Sequence, residues 1–161
     1  MNFLIREMKL DDIKQVQEVA KQSWYSTYEG IIPLEIQDGF LKSAYSDEMM
    51  KKRLEQTTLL VLEIEGEIVG FANFFRLKEA GEVELGAIYI IPEYQGKGFG
   101  TLLLNEGIKR LKDVKKIFVN VEKENKIGMN FYNAKGFQIT SEFDDDFGGH
   151  ILKTVRMKLN L

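Results

Sequence analysis

Residues 82–104 read EVELGAIYIIPEYQGKGFGTLLL, a run in which an apolar strand, a glycine loop and the start of an apolar helix follow one another without a gap. The inner part, Leu85 to Ile91, is apolar on both faces, which predicts a central strand covered from each side. Gly86 within it marks a bulge or the close approach of a ligand. Gly96, Gly98 and Gly100 fall within five residues. Without Cβ atoms they let the backbone turn its N–H groups toward one point, and the helix start that follows adds unpaired amides and a partial positive charge. The loop is expected to hold an anion, and a pyrophosphate fits it.

Spacing decides among the phosphate-binding motifs. A Walker A loop needs serine or threonine after its lysine, whereas Lys97 is followed by Gly98, and a dinucleotide fingerprint needs glycine where Thr101 stands. The bland account is a tight strand-to-helix turn, but a turn alone rarely calls for three glycines in five residues.

Outward from this run, Phe3 to Arg6 predicts a first strand, and Asp11 caps a helix whose apolar positions Ile13, Val16, Val19 and Ala20 recur at helical spacing. From Ser23 to Tyr45 the chain is aromatic and is expected to be irregular, with Gly30, Pro33 and Gly39 as breakers. Ser46 or Asp47 then caps a helix through Leu54. Thr58 to Ile64 and Ile68 to Phe75 flank Glu65-Gly66-Glu67, which is a hairpin signal. Beyond the glycine loop, a helix from Phe99 to Lys112 turns Leu102, Leu103, Ile108 and Leu111 inward, and Lys116 to Val121 reads as a buried strand, giving a β-α-β crossover. Asn125 caps a helix to Lys135 that Gly136 ends, and strands at Phe137 to Phe143 and Ile151 to Leu159 flank a polar turn. No linker or internal repeat interrupts residues 1–161, so one domain is expected.

Composition narrows the function classes. The chain has no cysteine, which removes disulfides, thiolate metal sites and a covalent cysteine intermediate. His150 has no partner histidine or cysteine at metal spacing, so no metal is expected. The net charge is −3 with basic residues dispersed among acidic ones, which argues against nucleic acid as a partner. The basic run Lys109, Arg110, Lys112, Lys115 and Lys116 reads as a solvated helix end. No stretch has the length and apolarity of a signal peptide or a membrane span, so no membrane association and a cytoplasmic location are expected.

Gln95, Gly98 and Gly100 meet a motif of glutamine or arginine, two variable residues, then G-x-G or G-x-A, behind a strand ending Ile90-Ile91-Pro92. Asn125, Phe131, Tyr132, Gly136 and Phe137 meet a second motif, an asparagine leading a helix that carries phenylalanine-tyrosine and ends in glycine-phenylalanine. In both, the chain resembles the GNAT superfamily of acetyl-CoA-dependent N-acetyltransferases, and the resemblance covers essentially its whole length. It departs at Gly128, where family members usually carry alanine and where glycine weakens a helix by about 1 kcal/mol, and at Ala134-Lys135.

The resemblance implies an α/β fold of layered α+β type, a mixed central sheet of about six to seven strands flanked by about four helices. It implies acetyl-CoA as the acetyl donor, with backbone groups of Ile88, Tyr89 and Ile90 pairing with the pantetheine arm like an added strand. Amides of Gln95, Gly96, Lys97, Gly98, Phe99, Gly100 and Thr101 would hold the pyrophosphate, and Asn125 would contact the cofactor arm or the neighbouring strand. The amine would attack the acetyl carbonyl directly, an amide near Ile90 would polarise the oxyanion, and Tyr132 would protonate the departing sulfur.

An alkyl amine has a pKa of about 10, so a base must take its proton. Glu84 and Glu82 lie on one face of their strand, Glu84 being the expected base and Glu82 a substrate contact; the alternative for both is a solvated strand face. For Tyr132 the alternative is an amphipathic core residue. Trp24 and Tyr28, with Tyr25 and Phe40, are expected in the acceptor pocket, where aromatic faces attract a cation, or else form a hydrophobic cover. Glu142 and Asp144 to Asp146 form an acidic turn that would attract a polyamine, or are simply solvated. The expected acceptor is a small-molecule amine, with bacterial polyamine-type enzymes the nearest resemblance. A protein amino terminus or lysine is a second candidate and a non-catalytic acetyl-CoA sensor a third. The sequence is compatible with a homodimer.

Overall fold

The structure is a computed structural model that describes residues 2–161. The chain runs β1 (Phe3–Glu7), α1 (Ile13–Tyr28), α2 (Leu34–Ala44), α3 (Asp47–Gln56), β2 (Thr58–Ile64), β3 (Glu67–Arg76) and β4 (Glu82–Ile90), then α4 (Phe99–Arg110), β5 (Lys116–Glu122), α5 (Lys126–Ala134), β6 (Gln138–Phe147) and β7 (His150–Asn160). One seven-stranded sheet takes the order β1-β2-β3-β4-β5-β7-β6. Among the described residues only β4 and β5 pair in parallel; the other neighbours are antiparallel.

Helices cover both faces, which is why β2 and β3 are apolar at nearly every position. On one face Leu60, Leu62 and Phe74 pack with Phe99, Leu103 and Leu104 of α4 and with Tyr132 of α5. On the other, the alternate residues Leu59, Val61 and Phe71 pack with Val16, Val19 and Ala20 of α1 and Met50 of α3. Among the described residues no helix is long and apolar enough to cross a membrane.

Three sequence expectations change. The stretch from Ser23 to Tyr45 is mostly helical: α1 continues to Tyr28 and α2 fills 34–44, so the described residues form five α-helices. The supposed breakers lie at boundaries or are absorbed. Gly30 has a φ of 79° just past the end of α1, and Pro33, at a φ of −55°, occupies the capping position of α2, where no amide is needed. Gly39 sits inside α2 at a propensity cost of about 1 kcal/mol that packing outweighs. Lastly, the acidic residues 144–146 belong to strand β6, because the β6–β7 hairpin closes through Gly148-Gly149 at φ values of 59° and 88°, and the Asp146 carboxylate accepts the Gly149 amide at 2.9 Å.

Candidate active site

The cleft exists because two parallel strands part. β4 and β5 are in register only at Glu82↔Lys116, Val83↔Ile117 and Glu84↔Phe118, although β4 continues to Ile90 and β5 to Glu122. The divergence starts at a bulge. On β3, Asn73 faces Ala87 and Phe74 faces Leu85, so Gly86 has no partner, and such an extra residue bends its strand. A Cβ on Gly86 would lie 2.9 Å from the Phe75 ring, so a larger residue there would push that exposed ring aside. The opening beyond it is a cavity of about 420 Å³ lined by residues 85–90 of β4, 119–122 of β5, the glycine loop, α5 and one face of α1.

The wall on the β4 side is an unpaired strand edge. The Ile91 amide donates to Val69 of β3 at 3.0 Å. By the two-residue alternation of a strand, the N–H and C=O groups of Ile90 and Ile88 then point the other way, into the cleft. The Gln95 side chain donates to the Ile90 carbonyl at 2.8 Å, which leaves the Ile90 amide facing the opening.

At the outer end lies the glycine loop. Gly96 and Gly98 have φ values of 74° and 87°, and nothing lies within 4 Å of where their Cβ atoms would be. Gly98 is the N-cap of α4. Among the described residues, the amides from Gly96 to Thr101 have no acceptor within the protein, as expected of a helix's first turn. These orphaned donors and the open space above them fit a diphosphate. Gln95, Gly96, Gly98, Phe99, Gly100 and Thr101 line the cleft; the Lys97 side chain instead extends over the Tyr94 ring, 5.8 Å from its centroid.

Helix α5 supplies the floor. Asn125 caps it, its Oδ1 accepting the Gly128 amide at 3.0 Å, and lines the cleft as well. Gly128 has its reason here: a Cβ would stand 2.7 Å from the Asn125 amide nitrogen. Tyr132 also lines the cleft, is only 7% exposed, and packs edge-on against Phe131 and Phe137. Burial, with a smaller push from the charge of Glu122, raises its phenol above the ordinary range, so it keeps its proton at neutral pH.

At the inner end the Tyr28 hydroxyl donates to Glu122 Oε1 at 2.7 Å, and the Trp24 indole donates to the Tyr89 hydroxyl at 3.1 Å. Burial raises both phenols well above their usual value. Glu122 is pushed upward by burial, countered by the Tyr28 hydrogen bond and reinforced by the charge of Asp145. With one oxygen held by Tyr28, the other can meet a ligand. Sequence reasoning missed Glu122. A usable signal was the alternation Phe118, Asn120, Glu122 against buried Ile117, Val119 and Val121, which turns polar side chains to one face at the end of a core strand.

The two glutamates singled out earlier lie elsewhere. Glu84 is bound by Arg156, whose guanidinium donates to both carboxylate oxygens at 2.9 and 3.2 Å and to Asn120 at 2.9 Å. Glu82 lies 4.0 Å from Lys116. Both precede the splay, on the rungs where β4 and β5 still pair, and neither lines the cleft. Trp24 stacks on Phe40 with ring centroids 4.3 Å apart and on Phe147 at 5.7 Å, so it supports the wall from behind, while Tyr28 reaches the cleft. His150 lies against the Ile31 carbonyl at 3.1 Å.

Comparison with known proteins places this geometry among relatives. The family described as Acetyltransferase (GNAT) family matches residues 16–137. A spermidine N(1)-acetyltransferase of Thermoplasma acidophilum is 30% identical over 155 residues, covering 91% of this chain and 95% of that protein. A spermidine N(1)-acetyltransferase of Escherichia coli is 25% identical over 95% of this chain and 83% of its own length. The crystal structure of the PaiA N-acetyltransferase from Thermoplasma acidophilum in complex with coenzyme A superposes with a TM-score of 0.87 at 26% identity, covering 100% of both chains.

Proposed function

The chain belongs to the GNAT acetyltransferase family, and from that premise, which makes it an N-acetyltransferase using acetyl-CoA, we propose that it acetylates a primary amine of a polyamine or similar small cation. The observation that carries this reading is the pairing of Glu122 with Tyr132. A half-buried carboxylate and a buried protonated phenol line one cleft, and desolvation shifts both upward.

Acetyl-CoA supplies an acetyl thioester, whose diphosphate the amides of the 96–101 loop would hold and whose arm the Ile88 and Ile90 edge would pair. Glu122 takes a proton from the acceptor ammonium through the oxygen that Tyr28 leaves open. The amine nitrogen then bonds to the thioester carbonyl carbon, the Ile90 amide donates to the developing oxyanion, and the carbon–sulfur bond breaks as Tyr132 gives its proton to sulfur. The nitrogen, which still bears one proton too many, gives it to the Tyr132 phenolate, and Glu122 releases its own to solvent, so the cycle yields the amide, free CoA and one proton. A raised pKa brings Glu122 nearer the amine's and makes it the stronger base. Thiolate is a good leaving group, with a pKa of about 8.5, so the acid matters less than the base. Tyr132→Phe should lower kcat about tenfold and leave acetyl-CoA affinity unchanged by calorimetry; an unaltered kcat would remove Tyr132 from the acid role.

Charge supports a cationic acceptor. Glu142 is paired with Lys123 at 2.9 Å, Asp144 with Lys153 at 3.5 Å, and Asp146 holds the Gly149 amide. Among the described residues Asp145 alone of this acidic run makes no ion pair or hydrogen bond. Strand alternation turns it to the face of Phe147 and Glu122. A second ammonium one short alkyl spacer from the reacting nitrogen would find Asp145 at the rim. Release of free CoA should show kcat/KM for spermidine, spermine or putrescine about tenfold above that for butylamine at low salt, the gap narrowing as salt rises. Equal rates for mono- and polyamines at low salt would remove polyamine preference, and turnover of peptides alone would move the acceptor to protein.

A further inference from the structure

Among the described residues two buried side-chain polar atoms have no hydrogen-bond partner, Ser23 Oγ and Gln37 Oε1. Of these two residues Ser23 lines the cleft. It is 1% exposed. A serine within a helix commonly returns its hydroxyl to the carbonyl one turn back; that of Ser23 does not. A buried hydroxyl without a partner destabilises the fold, and in a site it marks a group reserved for a ligand.

The pattern along α1 says which ligand. Val16, Val19 and Ala20 form the stripe that packs on Val61 and Phe71 of the sheet. At helical spacing the same stripe continues with Ser23 and Thr27, and both line the cleft. One helix face is therefore aliphatic where it covers the sheet and hydroxylic where it covers the opening. These hydroxyls stand on the helix of Tyr28, which orients Glu122, so they belong to the acceptor's end of the cleft and not to the glycine loop.

We propose that Ser23 Oγ accepts a hydrogen bond from the attacking amine nitrogen, so that Ser23 fixes the acceptor's orientation; the proposal rests on the acetyl-transfer reading of this cleft. A primary ammonium carries three N–H bonds. Glu122 draws away one as a proton; the amine then turns about its C–N bond, and a remaining N–H held on Ser23 Oγ fixes the rotation that aims the freed lone pair at the thioester carbonyl. A hydroxyl suits this task better than a second carboxylate, because it accepts the N–H without holding the nitrogen in its protonated, non-nucleophilic form.

Ser23→Ala removes the hydroxyl and leaves nothing unsatisfied behind. The melting temperature should hold or rise. In the same protein the KM for the amine should rise about tenfold, with acetyl-CoA KM unchanged, and spermidine titrated calorimetrically into the enzyme–CoA complex should weaken by the same factor. The loss should be equal for spermidine and butylamine, since Ser23 meets the reacting nitrogen that both share. An unchanged amine KM overturns the proposal. So does a lowered melting temperature with proportionate losses in all constants, which would mean a structural role, or a rise confined to acetyl-CoA KM, which would assign the hydroxyl to the donor. A wild-type enzyme that acetylates no amine would instead remove the reading of the cleft itself.

Discussion

Gly98→Asp is expected to abolish coenzyme A binding without unfolding the protein. Gly98 caps α4 at a φ of 87°, a conformation in which aspartate is among the better tolerated side chains at a cost of about 1 kcal/mol. Aspartate is also a favoured N-cap, so α4 keeps its start. No atom lies within 4 Å of the Cβ position, so the side chain fits into open space. That space is where a diphosphate would sit. The carboxylate would take the orphaned amides of the first turn for itself and set a negative charge against the ligand's. At about 4 Å and an effective dielectric near 20, each such repulsion is about 4 kcal/mol, so affinity should fall at least about a thousandfold. Calorimetry with coenzyme A, beside a melting curve close to wild type, checks this; retained affinity would mean the diphosphate binds elsewhere.

Glu122→Gln should divide activity from stability. The glutamine keeps an oxygen for the Tyr28 hydroxyl but cannot take a proton, so kcat should drop by about a hundredfold or more. The acid limb of the pH–rate profile should disappear with it, because in the wild type activity falls as pH drops through the raised pKa of Glu122. Stability should move the other way. Burial holds the folded pKa above its ordinary 4.5, so the folded chain binds this proton more tightly than the unfolded chain. The stability associated with Glu122 is therefore full below the unfolded value and lost as pH rises through the folded one. At neutral pH the ionised, half-buried carboxylate weakens the fold, and the substitution should raise the melting temperature there while changing it little at pH 4. A variant with normal kcat and an intact acid limb would transfer the base role away from Glu122.

Legibility tracked the range of the interactions involved. The hairpin at Glu65-Gly66, the central strand before the glycine loop and the cap at Asn125 were all readable, since each depends on residues within a few positions of one another. The base was not. Glu84 and Glu122 are both acidic residues on strands next to the cleft, and what separates them is Arg156, which reaches Glu84 from β7, 72 residues along the chain. Ser23 was hidden in the same way. It continues the stripe of Val16, Val19 and Ala20, but Gly30 and Pro33 made the segment after Ala20 look irregular, although they only mark the end of α1 and the start of α2.

By itself the sequence determined the order of the strands and of every helix but α2, the conformation of the glycine loop and the family, because glycine's freedom at positive φ, hydrophobic period and helix caps are properties of short stretches. The tertiary structure alone decided which carboxylate lines the cleft, which hydroxyl lacks a partner and which aromatic rings face the opening. Those outcomes depend on where β4 and β5 separate and on which distant side chains claim Glu84, Trp24 and the acids of β6. Desolvation and ion pairing are set by whatever surrounds a group in space, and that is assembled only when the sheet closes.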